Sequence, residues 1–182
     1  MSRNKNAKAK NDKLQDIEYL EFVDNLKRPL GILSRETIHT QNLLHKSVQV
    51  LFFNKEKKLY IQQRNFDKDV YPGYWDVSAA GHVLCGESDM DASLRELKEE
   101  LGINSAQLKL VHEISANYYT GYEFLSLFVS SPCSEIPKPN PEEVVQGFFV
   151  NKQEMDYLIN FYSHLLTPGL LQYWKIGFLF PE

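Results

Sequence analysis

Apolar and polar positions alternate along this chain with two different periods, and together they predict a mixed α/β protein. Short apolar runs, rich in β-branched and aromatic residues and bounded by turn residues, indicate β-strands. These runs lie at residues 18–23, 29–34, 48–53, 59–63, 75–80, 108–114, 122–129 and 148–150. The turn at 24–28 predicts an N-terminal β-hairpin, and the turn at 54–57 predicts a second hairpin with a buried strand.

Helical periodicity appears between and after these runs. It indicates helices at residues 89–101, from Asn151 to about 162, and from Thr167 to about 175. The polar segment 35–44 predicts a short helix or a loop. Helices on both sides of mixed strands give an α/β/α sandwich around a mixed β-sheet. Residues 16–182 are therefore expected to form a single domain, after a flexible basic tail at residues 1–15.

The helix at 89–101 carries two chemically different sides. Its apolar stripe consists of Met90, Leu94, Leu97 and Leu101, which predicts that this side faces the core. Its acidic side consists of Glu96, Glu99 and Glu100, which are neighbours at spacings of three and four. Crowded carboxylates repel each other, and Mg²⁺ offers a reason for the arrangement because it prefers oxygen ligands. The alternative is an exposed acidic surface with a salt bridge from Arg95 to Glu99.

The residues around this helix follow a fixed spacing. Between Gly81 and Ile103 the chain reads G-x5-E-x7-R-E-U-x-E-E-x-G-U, where U is apolar. Ser88 or Asp89 can cap the N-terminus of the helix, and Gly102 suits a left-handed C-cap. At every specified position the pattern resembles the Nudix box of the Nudix hydrolase superfamily.

That resemblance implies the Nudix fold, an α/β/α sandwich, and hydrolysis of a diphosphate linkage with Mg²⁺, or alternatively Mn²⁺, as cofactor. It implies metal ligation by Glu99, Glu100 and the Gly81 carbonyl, with Glu96 as a ligand or the general base. Arg95 and Glu87 would support these catalytic and metal-binding groups.

The similarity extends beyond the box. Residues 39–82 look like the branch of Nudix proteins akin to isopentenyl-diphosphate isomerase, in which LLH, PG-x-W and a GH pair recur in this order. By that resemblance, Arg64 and Lys68 bind the diphosphate, a role that suits positive charge. Ala80 stands where the isomerase has its catalytic cysteine. Alanine cannot transfer a proton to or from carbon, which argues against isomerisation.

Three histidines fall at or near metal ligands of the isomerase. His39, His45 and His82 would form a second metal site if that site is retained. The alternative is a structural, hydrogen-bonding role, which is common for histidines in loops and at strand ends. Glu143 matches a position where Nudix enzymes often place another acidic ligand or the base, and its neighbour Glu142 competes for that assignment.

These observations predict a Mg²⁺-dependent pyrophosphohydrolase acting on a nucleoside diphosphate linked to another group. A water attacks phosphorus, Glu96 or Glu143 accepts its proton, and Arg64 and Lys68 offset the charge of the leaving phosphate. One alternative is a hydrolase or isomerase acting on isoprenoid diphosphates such as isopentenyl diphosphate. Another is a non-catalytic binding module, against which the complete set of glutamates argues.

Composition narrows the partners and the location. A net charge of −4 argues against nucleic acid, since phosphate backbones demand a basic face. No apolar run is long enough to cross a membrane, and none follows the early basic residues as in a signal peptide. The two cysteines make neither a disulfide framework nor a metal motif, so we expect a cytoplasmic protein. The first hairpin offers an edge through which a homodimer could form.

Overall fold

A computed structural model describes residues 17–180, so the predicted tail at residues 1–15 lies outside the described residues. The strands are β1 (Tyr19–Val23), β2 (Pro29–Ser34), β3 (His45–Leu51), β4 (Leu59–Arg64), β5 (Trp75–Asp76), β6 (Ala79–His82), β7 (Leu108–Ile114), β8 (Glu123–Ser130) and β9 (Val144–Val150). The helices are α1 (Arg35–Thr40), α2 (Asp89–Leu101), α3 (Lys152–Tyr162) and α4 (Pro168–Lys175). The predicted helices and the first hairpin are thus confirmed.

The strands form three sheets. The four-stranded sheet has the order β6-β3-β8-β7, the three-stranded sheet has the order β5-β4-β9, and β1 pairs with β2. Strands β3 and β8 are parallel, whereas the other ladders are antiparallel. Helix α2 packs on the four-stranded sheet, and α3 and α4 cover a second core. The α/β/α sandwich around mixed strands is therefore the observed architecture.

Two strand predictions need correction. The prediction of a second β-hairpin was wrong, because β3 and β4 belong to different sheets. At the predicted turn, the two segments share only an isolated β-bridge between Phe53 and Leu59. The run at 75–80 is divided into β5 and β6, one in each sheet. Ser78 lies at the division, where its hydroxyl accepts from Phe52 N at 2.8 Å and donates to Tyr60 O at 2.5 Å. Its side chain thus joins the backbones of both sheets.

Helix α2 begins and ends as predicted but buries a different face. Ser88 caps it by accepting from Asp91 N, and Gly102 ends it at φ +67°. Met90 and Leu94, expected in the core, are each 37% exposed, whereas the acidic residues Glu96 and Glu100 are 8% and 4% exposed. The prediction was wrong for the first half of the apolar stripe, because the helix turns two of its carboxylates toward the sheet.

One further expectation concerned membranes. None of the helices found between residues 17 and 180 combines the length and the apolar character needed to cross a bilayer.

Candidate active site

Arg95 lies at the centre of an ion-pair network on helix α2. Its Nε is 2.9 Å from Glu87 Oε1, and its Nη1 is 2.6 Å from Glu96 Oε1 and 3.1 Å from Glu99 Oε2. Its Nη2 also donates to the carbonyl oxygen of His82 at 2.8 Å. A single guanidinium therefore fixes three carboxylates and the end of strand β6, which uses the planar donor geometry of arginine.

Gly81 and Glu96 meet without a side chain between them. A Cβ built on Gly81 would overlap the carboxylate of Glu96, so only glycine allows this approach. The carboxylate thus lies against the backbone of β6. Carboxylate and carbonyl oxygens are the ligand types that Mg²⁺ and Mn²⁺ prefer. The residues present therefore fit a hard divalent cation at this position.

Glu100 is the most deeply buried of the predicted ligands. Gln62 Nε2 donates to its Oε2 at 2.7 Å. Burial, followed by the charge of Glu96, raises the pKa of Glu100 to about 8, although the hydrogen bond from Gln62 opposes the shift. Burial also raises the pKa of Glu96, against the influence of Arg95. Two buried carboxylates with raised pKa values make a site where a cation would be strongly stabilised.

The predicted phosphate-binding residues lie beside these carboxylates. Lys68 Nζ forms an ion pair with Glu143, and burial lowers the pKa of Lys68 while the charge of Glu100 opposes that shift. Arg64 Nη1 is 3.2 Å from Asp76 Oδ2. The structure brings Glu143 rather than its exposed neighbour Glu142 into this group.

The three predicted histidines converge with a fourth residue. One ligand atom from each of His39, His45, His82 and Glu123 lies within 4.8 Å of the others. His39 Nε2 is 3.1 Å from His82 Nε2, and Glu123 Oε1 is 3.7 Å from Nε2 of both His45 and His82. His45 is 1% exposed, and its Nδ1 bonds to Leu43 O, which leaves Nε2 directed at the group. We call these four residues the histidine cluster.

The protonation states within the histidine cluster differ strongly. Burial opposes a charge on His82, but contacts with Glu123 and Glu18 raise its pKa to about 9. Burial and the neighbouring His82 lower the pKa of His39 to about 4. Burial works against ionised Glu123, yet its histidine neighbours hold its pKa below the usual range. The cluster is therefore a tightly coupled group of acidic and basic side chains.

Sequence reasoning missed Glu123, Glu18 and Gln62. Glu123 enters the histidine cluster because β3 and β8 are parallel with His45 opposite Glu123, which a single sequence does not reveal. Glu18 Oε1 lies 3.2 Å from His82 Nδ1 through the packing of the first hairpin. Gln62 offered a weak signal, since it is a polar residue directly after the buried run Leu59–Ile61.

Comparisons with known proteins point to one family. The NUDIX domain family matches residues 43–166. A protein of Pseudomonas aeruginosa named an uncharacterized Nudix hydrolase is 44% identical over 94 residues, which cover 52% of this chain and 56% of that protein. An isopentenyl-diphosphate Delta-isomerase of Dinoroseobacter shibae is 33% identical over 160 residues, covering 84% of this chain and 88% of that enzyme.

Solved structures show the same fold. The crystal structure of DR0079 from Deinococcus radiodurans has a TM-score of 0.66 at 23% identity, and covers 79% of this chain and 89% of that one. A MutT protein from Methanosarcina mazei has a TM-score of 0.60 at 18% identity, covering 74% and 92%. The fold and the glutamate-rich helix are those of a Nudix domain. This chain belongs to the Nudix hydrolase family.

Proposed function

We propose that the protein is a Mg²⁺-dependent pyrophosphohydrolase that cleaves the diphosphate of a nucleoside diphosphate linked to another group. The observation that carries this proposal is the pair of buried carboxylates, Glu96 and Glu100, held beside Gly81 on one side and Lys68 on the other. A site with buried carboxylates next to an ammonium group, which Lys68 shares with Glu143, suits a substrate with charged oxygens bound through a cation.

The residues that would hold the cation are Glu96, Glu99, Glu100 and the carbonyl of Gly81. Glu87 and Arg95 would position them through the ion pairs of the Arg95 network. The chemistry that such a cation supplies is neutralisation of the diphosphate and a lower pKa for water.

The proton acceptor that we propose is Glu143. The carboxylate of Glu96 already lies against the backbone of Gly81 and forms an ion pair with Arg95, and a carboxylate held in this way suits a metal ligand better than a general base. Glu143 pairs with Lys68, and a diphosphate would compete for the same ammonium. Substrate binding would thereby release the Glu143 carboxylate to accept a proton from the attacking water. Lys68 and Arg64 would then offset the negative charge that grows on the leaving phosphate.

We also propose that the histidine cluster holds a second metal. Three imidazoles and one carboxylate make a nitrogen-rich donor set, which suits Zn²⁺, Mn²⁺ or Co²⁺ better than Mg²⁺. The contact from Glu18 to His82 Nδ1 resembles the outer partner that metal-bound histidines commonly have.

A second candidate function is action on isoprenoid diphosphates. The long match to an isopentenyl-diphosphate Delta-isomerase and the histidine cluster favour it. Ala80 argues against isomerisation itself, because its methyl group can neither give nor take a proton. Hydrolysis of a prenyl diphosphate remains compatible with the same carboxylates.

The experiment that tests these candidates measures phosphate or nucleotide release with Mg²⁺ on a mixed panel. The panel holds nucleoside diphosphate sugars, dinucleoside polyphosphates, NADH, ADP-ribose, CoA, nucleoside triphosphates and prenyl diphosphates, with Glu100→Gln as the blank. Turnover of nucleoside diphosphate derivatives, abolished in the variant, supports the first candidate. Turnover of prenyl diphosphates alone supports the second. A folded, Mg²⁺-binding protein that turns over nothing would contradict both and favour a binding module.

A further inference from the structure

Asn65 is the first residue after strand β4, and each of its polar groups takes part in a hydrogen bond. Its backbone N donates to the carbonyl oxygen of Glu143 at 3.0 Å, and its own carbonyl oxygen accepts from Lys68 N at 3.3 Å. Its side-chain Nδ2 donates to the carbonyl oxygen of Pro141 at 2.7 Å, and its Oδ1 accepts from Asp67 N at 2.9 Å. Asn65 therefore contacts both of the segments that carry the ion pair between Lys68 and Glu143.

The first of these segments is the loop between β4 and β5, residues 65–74. The contact from Asp67 N to Asn65 Oδ1 joins residues two apart, as in an Asx turn. Lys68 N donates to the carbonyl oxygen of Asn65, so the turn continues as far as the lysine. The backbone position of Lys68 is thus set by contacts with Asn65.

The second segment, residues 137–143, contains three prolines and leads into β9. It lies against the C-terminal end of α2, where Lys138 N donates to Leu101 O at 2.7 Å and Asn140 N donates to Glu100 O at 2.8 Å. The segment that carries the proposed base is thereby fixed to the helix that carries the proposed metal ligands.

Two contacts between the loop and the second segment involve neither charge of the ion pair. They are the hydrogen bonds from Asn65 N to Glu143 O and from Asn65 Nδ2 to Pro141 O. The proposed reaction requires a diphosphate to displace the Glu143 carboxylate from the Lys68 ammonium. Once that ion pair opens, the two hydrogen bonds still hold the loop to the segment. The bond from Nδ2 is the one that a substitution can remove, since the other joins backbone atoms.

We propose that Asn65 is a positioning residue, which holds Lys68 and Glu143 within reach of the same diphosphate while their ion pair opens. The inference rests on the proposed function. Asn65 acts through these two residues and needs no contact with the substrate. Its importance follows from the sensitivity of catalysis to geometry, because a displacement of about 1 Å can lower a rate by about 100-fold.

The first test measures binding of inorganic pyrophosphate to the full chain by calorimetry in Mg²⁺. Asn65→Ala removes both side-chain hydrogen bonds, and we expect affinity to fall by about threefold to tenfold because Lys68 is less well placed. In a Lys68→Gln background, the same substitution should cost no further affinity. Asn54→Ala is the matched control, since it removes a similar turn contact, to Lys58 N, at the other end of β4. It should leave the affinity unchanged.

Three results of this test would overturn the proposal. The first is an unchanged affinity in Asn65→Ala, and the second is a loss that is equally large with and without Lys68. The third is no binding of pyrophosphate by the unmodified protein.

A second variant separates the turn from the link between the two segments. In Asn65→Ser the hydroxyl can still accept from Asp67 N, although more weakly, but it is too short to reach Pro141 O. Tm should therefore fall less than in Asn65→Ala, whereas pyrophosphate affinity should fall by the same factor in both variants. A purely structural role would make Tm and affinity change together. Affinity equal to that of the unmodified protein in Asn65→Ser would overturn the proposal.

Turnover separates this inference from the proposed function. With the panel compound that the unmodified protein hydrolyses fastest, Asn65→Ala should lower kcat by about 10-fold or more, with little further loss in a Glu143→Gln background. If the panel gives no turnover but pyrophosphate binding depends on Asn65 through Lys68, the hydrolase proposal fails and the positioning of Lys68 stands. If Asn65→Ala hydrolyses the compound as fast as the unmodified protein, the hydrolase stands and the positioning role fails.

Discussion

The two sides of strand β6 face groups of opposite chemical character, and we propose a metal site on each side. Gly81 lies against Glu96, where the donors are oxygens and burial raises the carboxylate pKa values. The adjacent His82 points to the histidine cluster, where the donors are mostly nitrogens and histidine contacts lower the pKa of Glu123. One residue step along the strand therefore separates the two proposed metal sites, whose donor atoms would favour different cations. The difference shows how a single strand can border two distinct groups of side chains, because successive residues of a strand face opposite sides of the sheet.

The largest expected effect concerns the carboxylate side. Glu100→Gln should lower kcat/KM by more than about 100-fold, since it removes a proposed ligand of a cation that would contribute several kcal/mol to transition-state stabilisation. It should leave Co²⁺ binding at the histidine cluster intact. Steady-state kinetics and Co²⁺ absorption spectra measure the two properties. Glu56→Gln, in an exposed turn, is the control. Equal loss on both sides would mean that the two sites are not separate.

A smaller loss is expected when the network around Arg95 changes. Arg95→Lys keeps the charge but cannot contact Glu87, Glu96 and the His82 carbonyl together, so activity should fall by about 10–100-fold. Calorimetry should show weaker Mg²⁺ binding. Arg28→Lys, at a mostly exposed ion pair, should behave like the unmodified protein. Unchanged Mg²⁺ affinity in Arg95→Lys would contradict a positioning role.

The histidine side has its own pH dependence. Because the pKa of His82 is raised to about 9, a metal must displace its proton at neutral pH. Co²⁺ affinity should therefore increase as the pH rises from 6 to 9, as about one proton is released per metal. His82→Ala should abolish the Co²⁺ spectrum and leave Mg²⁺ affinity nearly unchanged, while His164→Ala should alter neither. A Co²⁺ spectrum that persists in His82→Ala would contradict metal binding at the histidine cluster.

The smallest effect is on the stability of the metal-free protein. Burial raises the pKa of Glu100 in the folded protein to about 8, above the usual value of 4.5, so the folded protein binds more protons between these pH values. Stability should then decrease as pH rises from about 5 to about 8. In EDTA, Tm should fall by roughly 2–4 °C for each kcal/mol lost. The pH dependence should be weaker in Glu100→Gln. If Tm depended on pH equally in Glu100→Gln and in the unmodified protein, ionisation of Glu100 would not be what destabilises the folded protein at higher pH.

The sequence was sufficient to predict the carboxylates of α2 and the three histidines of the histidine cluster, but not Glu123. The residues of the Gly81–Ile103 pattern lie close together in sequence, so helical spacing alone places Glu96, Glu99 and Glu100 on α2. Glu123 joins the histidine cluster through the pairing of β3 with β8, which depends on contacts distant in sequence. The exposure of Met90 and Leu94 was also missed, because the pattern of apolar residues does not reveal that two carboxylates occupy the buried face.

Ser78 has a consequence for the alignment of the residues that we propose to act on the diphosphate. Arg64 comes from the three-stranded sheet, whereas α2 packs on the four-stranded sheet, so a bound diphosphate would span two separately built halves. The hydroxyl of Ser78 connects Phe52 N to Tyr60 O across the boundary between the halves. The hydroxyl oxygen of Ser78 thus helps to fix the distance between the proposed phosphate-binding residues and the carboxylates of α2, although it contacts neither group.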